Sequence, residues 1–161
     1  MKIYIKNIEE VIYLTSSNKL NNFCILAFHI LTMDIIQQDF IIYCKSGDID
    51  KVKELLKDPR VDPSCRNNWA IRLSSEFGHL DVVRELLKDS RVDPSDRNNY
   101  AIRFSSEWGH MGVVRELLKD PRINKKKLLN SDITNELRNE VLEYLTEVRD
   151  ESINKILDTD I

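Results

Sequence analysis

The sequence predicts an all-α chain, built as a solenoid of helix–turn–helix repeats with short turns between them. Three observations carry that expectation. Residues 62–92 (DPSCRNNWAIRLSSEFGHLDVVRELLKDSRV) and 93–123 (DPSDRNNYAIRFSSEWGHMGVVRELLKDPRI) are identical at 23 of 31 positions, and a period of that length denotes stacked supersecondary units. Gly47, Gly78 and Gly109 fall in the same step, which carries the pattern back over residues 39–61. Apolar residues recur at helical spacing, and strict strand-like alternation is absent from residue 39 onward.

Within a copy, Asn67-Asn68 is a turn signal, because Asn tolerates left-handed backbone and bonds its own main chain. A first helix is expected over residues 69–77, with Ala70, Ile71, Ser74 and Ser75 at helical spacings and Gly78 as a left-handed cap. A second helix begins near Leu80 and aligns Val82, Val83, Leu86 and Leu87 as one apolar stripe. Asp58-Pro59, Asp89-Ser90 and Asp120-Pro121 end it in successive copies, and Val92-Asp93-Pro94 leads out in extended form. One helix pair cannot bury its own stripe. Stacked copies let Val82, Val83, Leu86 and Leu87 pack between Leu55 and Leu56 on one side and Val113, Val114, Leu117 and Leu118 on the other. Each fully buried Leu or Val is worth ~1.5–3 kcal/mol, so the stack is the stable object.

Flanking the copies at 39–61, 62–92 and 93–123 are an N-terminal segment with a capping helix (1–38), a divergent capping repeat (124–150) and a polar tail (151–161) expected to fray. Residues 23–33 (FCILAFHILTM) are apolar but span about half of the ~20 residues a membrane-crossing helix needs. Glu9, Glu10 and a polar stretch precede them, unlike a signal peptide. They read as a capping helix; the alternative is a membrane-associated adaptor anchored by residues 20–36.

Charged residues make up 32% and hydrophobic ones 42% of the chain, the balance of an ordinary globular protein. A net charge of −3 gives no basic face in bulk, so no nucleic-acid partner is expected. Cys24, Cys44 and Cys65 form no C-x-x-C and no zinc spacing with the histidines, and read as small hydrophobes in a reducing compartment. No dinucleotide, P-loop, zinc-protease or serine-hydrolase motif occurs, so no catalytic residue, metal site or cofactor is expected. His79 and His110 recur without a nucleophile placed to use them, which points to a structural role.

The run Trp69-Ala70-Ile71-Arg72-Leu73-Ser74-Ser75-Glu76-Phe77-Gly78-His79 recurs from Tyr100 to His110, and Val-Val-Arg-Glu-Leu-Leu follows each copy. It resembles the ankyrin-repeat pattern T-P-L-H-x-A-A-x-x-G-H with its V-V-x-x-L-L helix. The resemblance covers residues 39–123 and fades toward 148. It implies a non-catalytic scaffold that binds a protein partner of unknown identity, with the chain itself a monomer. Ankyrin repeats usually run about 33 residues and carry a Gly after the second helix. Here that Gly is replaced by Asp-Pro or Asp-Ser and the Thr-Pro start by an aromatic and Ala, so the β-hairpin finger between repeats is expected to shorten. The D-P-S-x-x-N-N-[WY]-A-I-R dialect, rich in Ile, Asn and Lys, looks like repeat proteins of amoeba-infecting giant viruses, which would place the chain in host-cell cytoplasm.

In ankyrin repeats the finger and the concave face of the first helices hold the partner. By resemblance the finger is Cys65, Arg66 and Asn68 in one copy, and Asp96, Arg97 and Asn99 in the next. The first-helix ends contribute Glu76 with Phe77 and Glu107 with Trp108, and the divergent copy offers Lys45 and Ser46. Arg72 and Arg103 stand where the family has His; Glu76 and Glu107 lie four residues on, so exposed i,i+4 ion pairs are expected. The alternative is a ladder of Arg66, Arg72, Arg97 and Arg103 that docks an acidic partner. Phe77 and Trp108 read either as an exposed binding hot spot or as packing turned inward.

Overall fold

The computed structural model describes residues 22–157, with side chains described for residues 34–149. Every regular element there is a helix: α1 (Asn22–Ser46), α2 (Ile49–Leu55), α3 (Cys65–Glu76), α4 (Leu80–Leu87), α5 (Asp96–Glu107), α6 (Met111–Lys119), α7 (Lys125–Leu129) and α8 (Asn135–Leu157). The first helices α1, α3 and α5 stack in one layer and the second helices α2, α4 and α6 in another, while α8 closes the end against α5, α6 and α7. The capping helix and the first helix of the first copy are a single element, because α1 runs unbroken through residues 38 and 39. At the other end α8 continues to Leu157, so most of the polar tail is helical where fraying was expected.

The two layers meet over a continuous core. Ala70 and Ile71 of α3 and Ala101 and Ile102 of α5 are fully buried against Val82, Val83 and Leu86 of α4 and Val113, Val114, Leu117 and Leu118 of α6. Phe40, Ile41, Cys44 and Val52 extend this core to one end, and Leu128, Leu137 and Val141 to the other. Leu55, Leu56 and Leu87 pack on its margin and stay partly exposed.

Three devices fix the step between copies. The first closes each first helix. His79 N–H donates to the Ser74 carbonyl (2.8 Å) and Gly78 N–H to that of Ser75 (3.2 Å), and His110 and Gly109 do the same to Ser105 (2.7 Å) and Ser106 (2.9 Å). This is the two-bond left-handed helix ending that places a residue at positive φ, and Gly78 sits at +76°. Against Gly78 lies the imidazole of the next copy's His110, so that a Cβ there would come within 2.6 Å of the ring. His79 lies likewise on Gly47 and bonds through Nε2 to the Lys45 carbonyl (2.8 Å).

The second device is the Asp-x-Arg turn after each second helix. Asp89 accepts from Arg91 Nε (3.0 Å) and Nη2 (2.7 Å), which leaves Nη1 to donate to the preceding copy's Val61 carbonyl (3.2 Å). Asp120 holds Arg122 in the same way, and Arg122 reaches back to the carbonyls of Val92 (2.6 Å) and Leu87 (2.9 Å). These carbonyls belong to helix ends and turns without an internal partner, and a charged donor is the strong way to satisfy them.

The third device replaces the hairpin finger. No strand occurs among the described residues; instead Arg66, Asn67 and Asn68 all lie in the left-handed region, with φ of 52°, 59° and 56°. Arg97, Asn98 and Asn99 repeat it. A left-handed turn costs ~1–2 kcal/mol per ordinary L-residue and less for Asn, which explains the Asn-Asn pair. The right-handed part of α3 therefore starts only at residue 69.

Gly78→Ala is expected to destabilise by about 2–4 kcal/mol, the sum of left-handed strain and overpacking against His110. Gly109→Ala, with nothing within 4 Å of the added Cβ, should cost only the strain, about 1–2 kcal/mol. Urea unfolding checks the difference, and equal losses would remove the histidine from the explanation.

The Asp-x-Arg turns also predict acid sensitivity. The Arg60 side chain and backbone hold the Asp58 carboxyl at about 2, below its ordinary 3.8. Asp89 is lowered chiefly by the hydrogen bond from Arg91. Burial raises Asp120, but the bonds from Arg122 outweigh it and the net shift is again down. A carboxyl lowered on folding contributes stability that is complete above its unfolded value and is lost as pH falls through the folded one. The thermal midpoint should thus drop between about pH 4 and pH 2. In an Asp58→Asn/Asp89→Asn/Asp120→Asn variant, less stable at neutral pH, that drop should be shallower.

Candidate functional site

The first helices and the left-handed turns before them form one exposed face, and the structure sorts the expected binding residues into two groups there. Asn68 and Asn99 are buried. Asn68 works inside the scaffold: its Oδ1 accepts from Asp93 N–H (2.7 Å) and its Nδ2 donates to Asp96 Oδ2 (2.7 Å), both in the next copy. Gln37 of α1 does the same for the first junction, accepting from Asp62 N–H (2.8 Å) and donating to its carbonyl (3.1 Å). The chain changes after the third copy, and the Oδ1 of Asn99 is buried with no partner. Cys65 and Asp96 are half-buried, whereas Arg66 and Arg97 are exposed.

Phe77 and Trp108 point outward, 46% and 64% exposed. They occupy the caps of α3 and α5, where the chain turns into the glycine ending, so the helix cannot roll them into the core. Lys45 of the preceding copy sits 5.2 Å over the Phe77 ring. Ser46 is exposed beside it.

The expected ion pairs Arg72–Glu76 and Arg103–Glu107 do not form among the described residues. Arg72 lies 4.5 Å over the ring of Tyr100 in the next copy and donates to the Asn67 carbonyl (3.3 Å). Glu76 accepts instead from the Tyr100 hydroxyl (3.0 Å). Burial and then this carboxylate push the Tyr100 phenol above its usual range, so it stays a donor at neutral pH. The helix surface alone would favour the i,i+4 pairs by ~0.2–0.5 kcal/mol, an amount that an aromatic neighbour from the next repeat readily overrides. Arg103 is half-buried and Glu107 exposed.

Arg66, Asn67, Trp69, Arg72, Arg97 and Tyr100 together line an open cleft of about 670 Å³ across the α3–α5 junction. Trp69 and Tyr100 were not picked out as site residues from the sequence, although both stand at the same step of the repeat, where an aromatic has replaced the family's Thr. Arg66 rests 5.4 Å over Trp69.

The Cys44 thiol is fully buried and its pKa is pushed up to about 12 by that burial; Cys65 is raised by burial and by Asp62, while the Cys24 side chain lies outside the described residues. No cluster of His, Cys, Asp and Glu among the described residues could hold a metal ion. No helix among them is long and apolar enough to cross a membrane, so the alternative of an anchor through residues 20–36 is not favoured.

Asn68→Ala and Asn99→Ala both place Ala in the left-handed region, but only the first strands hydrogen-bond partners. Asn68→Ala should therefore cost about 1–3 kcal/mol more than Asn99→Ala in urea unfolding. Equal costs would show that the bridge to Asp93 and Asp96 contributes nothing net.

Comparison with known proteins finds no match among curated proteins or solved structures. A family model described as ankyrin repeats, in three copies, matches residues 40–127. That is the span in which the Gly-His latch, the Asp-x-Arg turn and the two helix layers recur, and the chain belongs to the ankyrin-repeat family.

Proposed function

We propose that the chain is a non-catalytic scaffold that holds one protein partner on the face made by its first helices and left-handed turns. Ankyrin repeats in general mediate protein–protein interaction. One observation carries the assignment to this face: Phe77 and Trp108 stand exposed at equivalent positions of adjacent copies. Burying a side chain of that size is worth ~1.5–3 kcal/mol or more, and aromatic residues dominate interface hot spots. Glu76, Glu107, Arg72, Arg103, Arg66 and Arg97 form the polar surroundings such a hot spot needs. Asn68 and Asn99 are assigned to the scaffold and not to the contact. The 31-residue step and Asn-, Ile- and Lys-rich dialect support kinship with repeat proteins of amoeba-infecting giant viruses. The expected setting is then host-cell cytoplasm, with the chain acting as a monomer.

Phe77→Ala/Trp108→Ala removes no core side chain and should lower the thermal midpoint only slightly. Affinity capture from one extract with both forms should show a partner lost from the variant, its affinity weakened roughly thirtyfold or more. Recovery of the same proteins by the variant at equal yield would place the interface elsewhere.

A further inference from the structure

The nine arginines of the three copies fall into two populations. Arg60, Arg84, Arg91, Arg115 and Arg122 each hold an Asp or Glu of the chain. Arg66, Arg72, Arg97 and Arg103 form no ion pair among the described residues, and all four stand in the turns and first helices of the second and third copies. Three of them, Arg66, Arg72 and Arg97, converge on the cleft at the α3–α5 junction, which no carboxylate lines. Two carboxylates next to it are already engaged: Asp96 accepts from Asn68 Nδ2 and from Arg97 N–H (2.6 Å), and Glu76 accepts from Tyr100.

Like charges gathered without counter-charges repel, and here they do so in a chain whose net charge is −3. The side chains are also held in place. Arg72 and Arg66 lie on the faces of Tyr100 and Trp69, which fixes the guanidinium planes; each spends one Nη on a neutral oxygen, the Asn67 carbonyl (3.3 Å) and Gln38 Oε1 (3.5 Å), and neither on a carboxylate. Arg72 Nε–H is buried and finds no acceptor among the described residues. Three cations and two aromatic walls in one open cleft fit a carboxylate-bearing chain with an apolar residue beside the acid.

We infer that the cleft formed by Arg66, Arg72, Arg97, Trp69 and Tyr100 is a docking site for an acidic segment of the partner protein, bound by its Asp or Glu carboxylates. This rests on the scaffold proposal above and adds the chemistry of the ligand. Carboxylates pair with the guanidiniums while the neighbouring apolar side chain lies on Trp69 or Tyr100. Phe77 and Trp108 then serve the same partner from the far ends of α3 and α5.

The test uses the full chain and a short fluorescent peptide of glutamates around a central leucine, with its glutamine counterpart as control. The chain has two tryptophans, so the indole N–H resonance of Trp69 reports on the cleft and that of Trp108 on the surface outside it. The glutamate peptide should bind saturably, shift Trp69 more than Trp108 and lose affinity as salt rises. The glutamine peptide should not bind. Arg72→Gln should weaken binding roughly tenfold or more, the scale of a charge-assisted hydrogen bond. Arg66→Gln/Arg97→Gln, both exposed and remote from the core, should do likewise without changing the thermal midpoint. Arg84→Gln removes the same charge from the second-helix face and should leave affinity intact.

Equal weakening by Arg84→Gln would reduce the effect to general charge attraction and overturn the assignment. So would tighter binding of a single-stranded oligonucleotide or of a phosphopeptide than of the glutamate peptide. If the peptide fails to bind while partner capture still depends on Phe77 and Trp108, the acidic ligand falls and the scaffold proposal stands. If the peptide binds through the arginines while capture ignores Phe77 and Trp108, the cleft stands and the aromatic interface falls.

Discussion

A helix pair of this length has an apolar stripe on both of its broad sides, so no copy can be stable except against its neighbours. That constraint governs the rest of the structure. It demands an accurate step from one copy to the next, since Val82, Val83 and Leu86 must meet both α2 and α6. It also leaves polar main-chain groups at every helix end, in the region where the copies are joined. The chain answers with side chains that reach across the joint: histidine onto glycine, arginine onto carbonyls, and asparagine onto the following turn.

These three contacts divide the labour by chemistry. The Gly78–His110 contact is steric and sets the distance of approach. The Asp-x-Arg turn is electrostatic: a carboxylate in the same turn orients the guanidinium, which then serves the preceding copy. The Asn68 bridge is a neutral amide with one donor and one acceptor in use, and it needs left-handed backbone to reach the next copy. With the left-handed turn taking the place of a hairpin finger, the surface of the second and third copies becomes a shallow aromatic and cationic row. Cation–π contacts between copies, Arg72 on Tyr100 above all, tie that row to the stacking step itself.

Binding groups and scaffold groups are therefore interleaved along the same short segment. Arg66 and Arg97 face solvent while Asn68 and Asn99, two residues away, are buried. Asn99 retains an unpartnered oxygen because the third copy is followed by a cap in place of another Asp-Pro-Ser turn. The contrast between Asn68 and Asn99 separates what the repeat unit does for itself from what the next unit does for it.

The period, the helix pair, the left-handed Asn turn, the glycine ending and the apolar stripe were all legible in the residues. All are local: they follow from spacing and from which residues accept positive φ. Which polar side chains are spent depends on the stacking of the copies. Arg72 and Glu76 look like an i,i+4 pair on an isolated helix, yet each finds Tyr100 of the next copy. Asn68 looks like an exposed finger residue, yet the joint buries it. Asp58-Pro59, Asp89-Ser90 and Asp120-Pro121 read in the sequence only as helix stops; the arginine that follows two of them, Arg91 and Arg122, reaches into the preceding copy. The exposure of Phe77 and Trp108 was open in the sequence because it depends on how the helix ends relative to its neighbours. Contacts between copies compete with contacts within a copy, and only geometry across the joint says which wins.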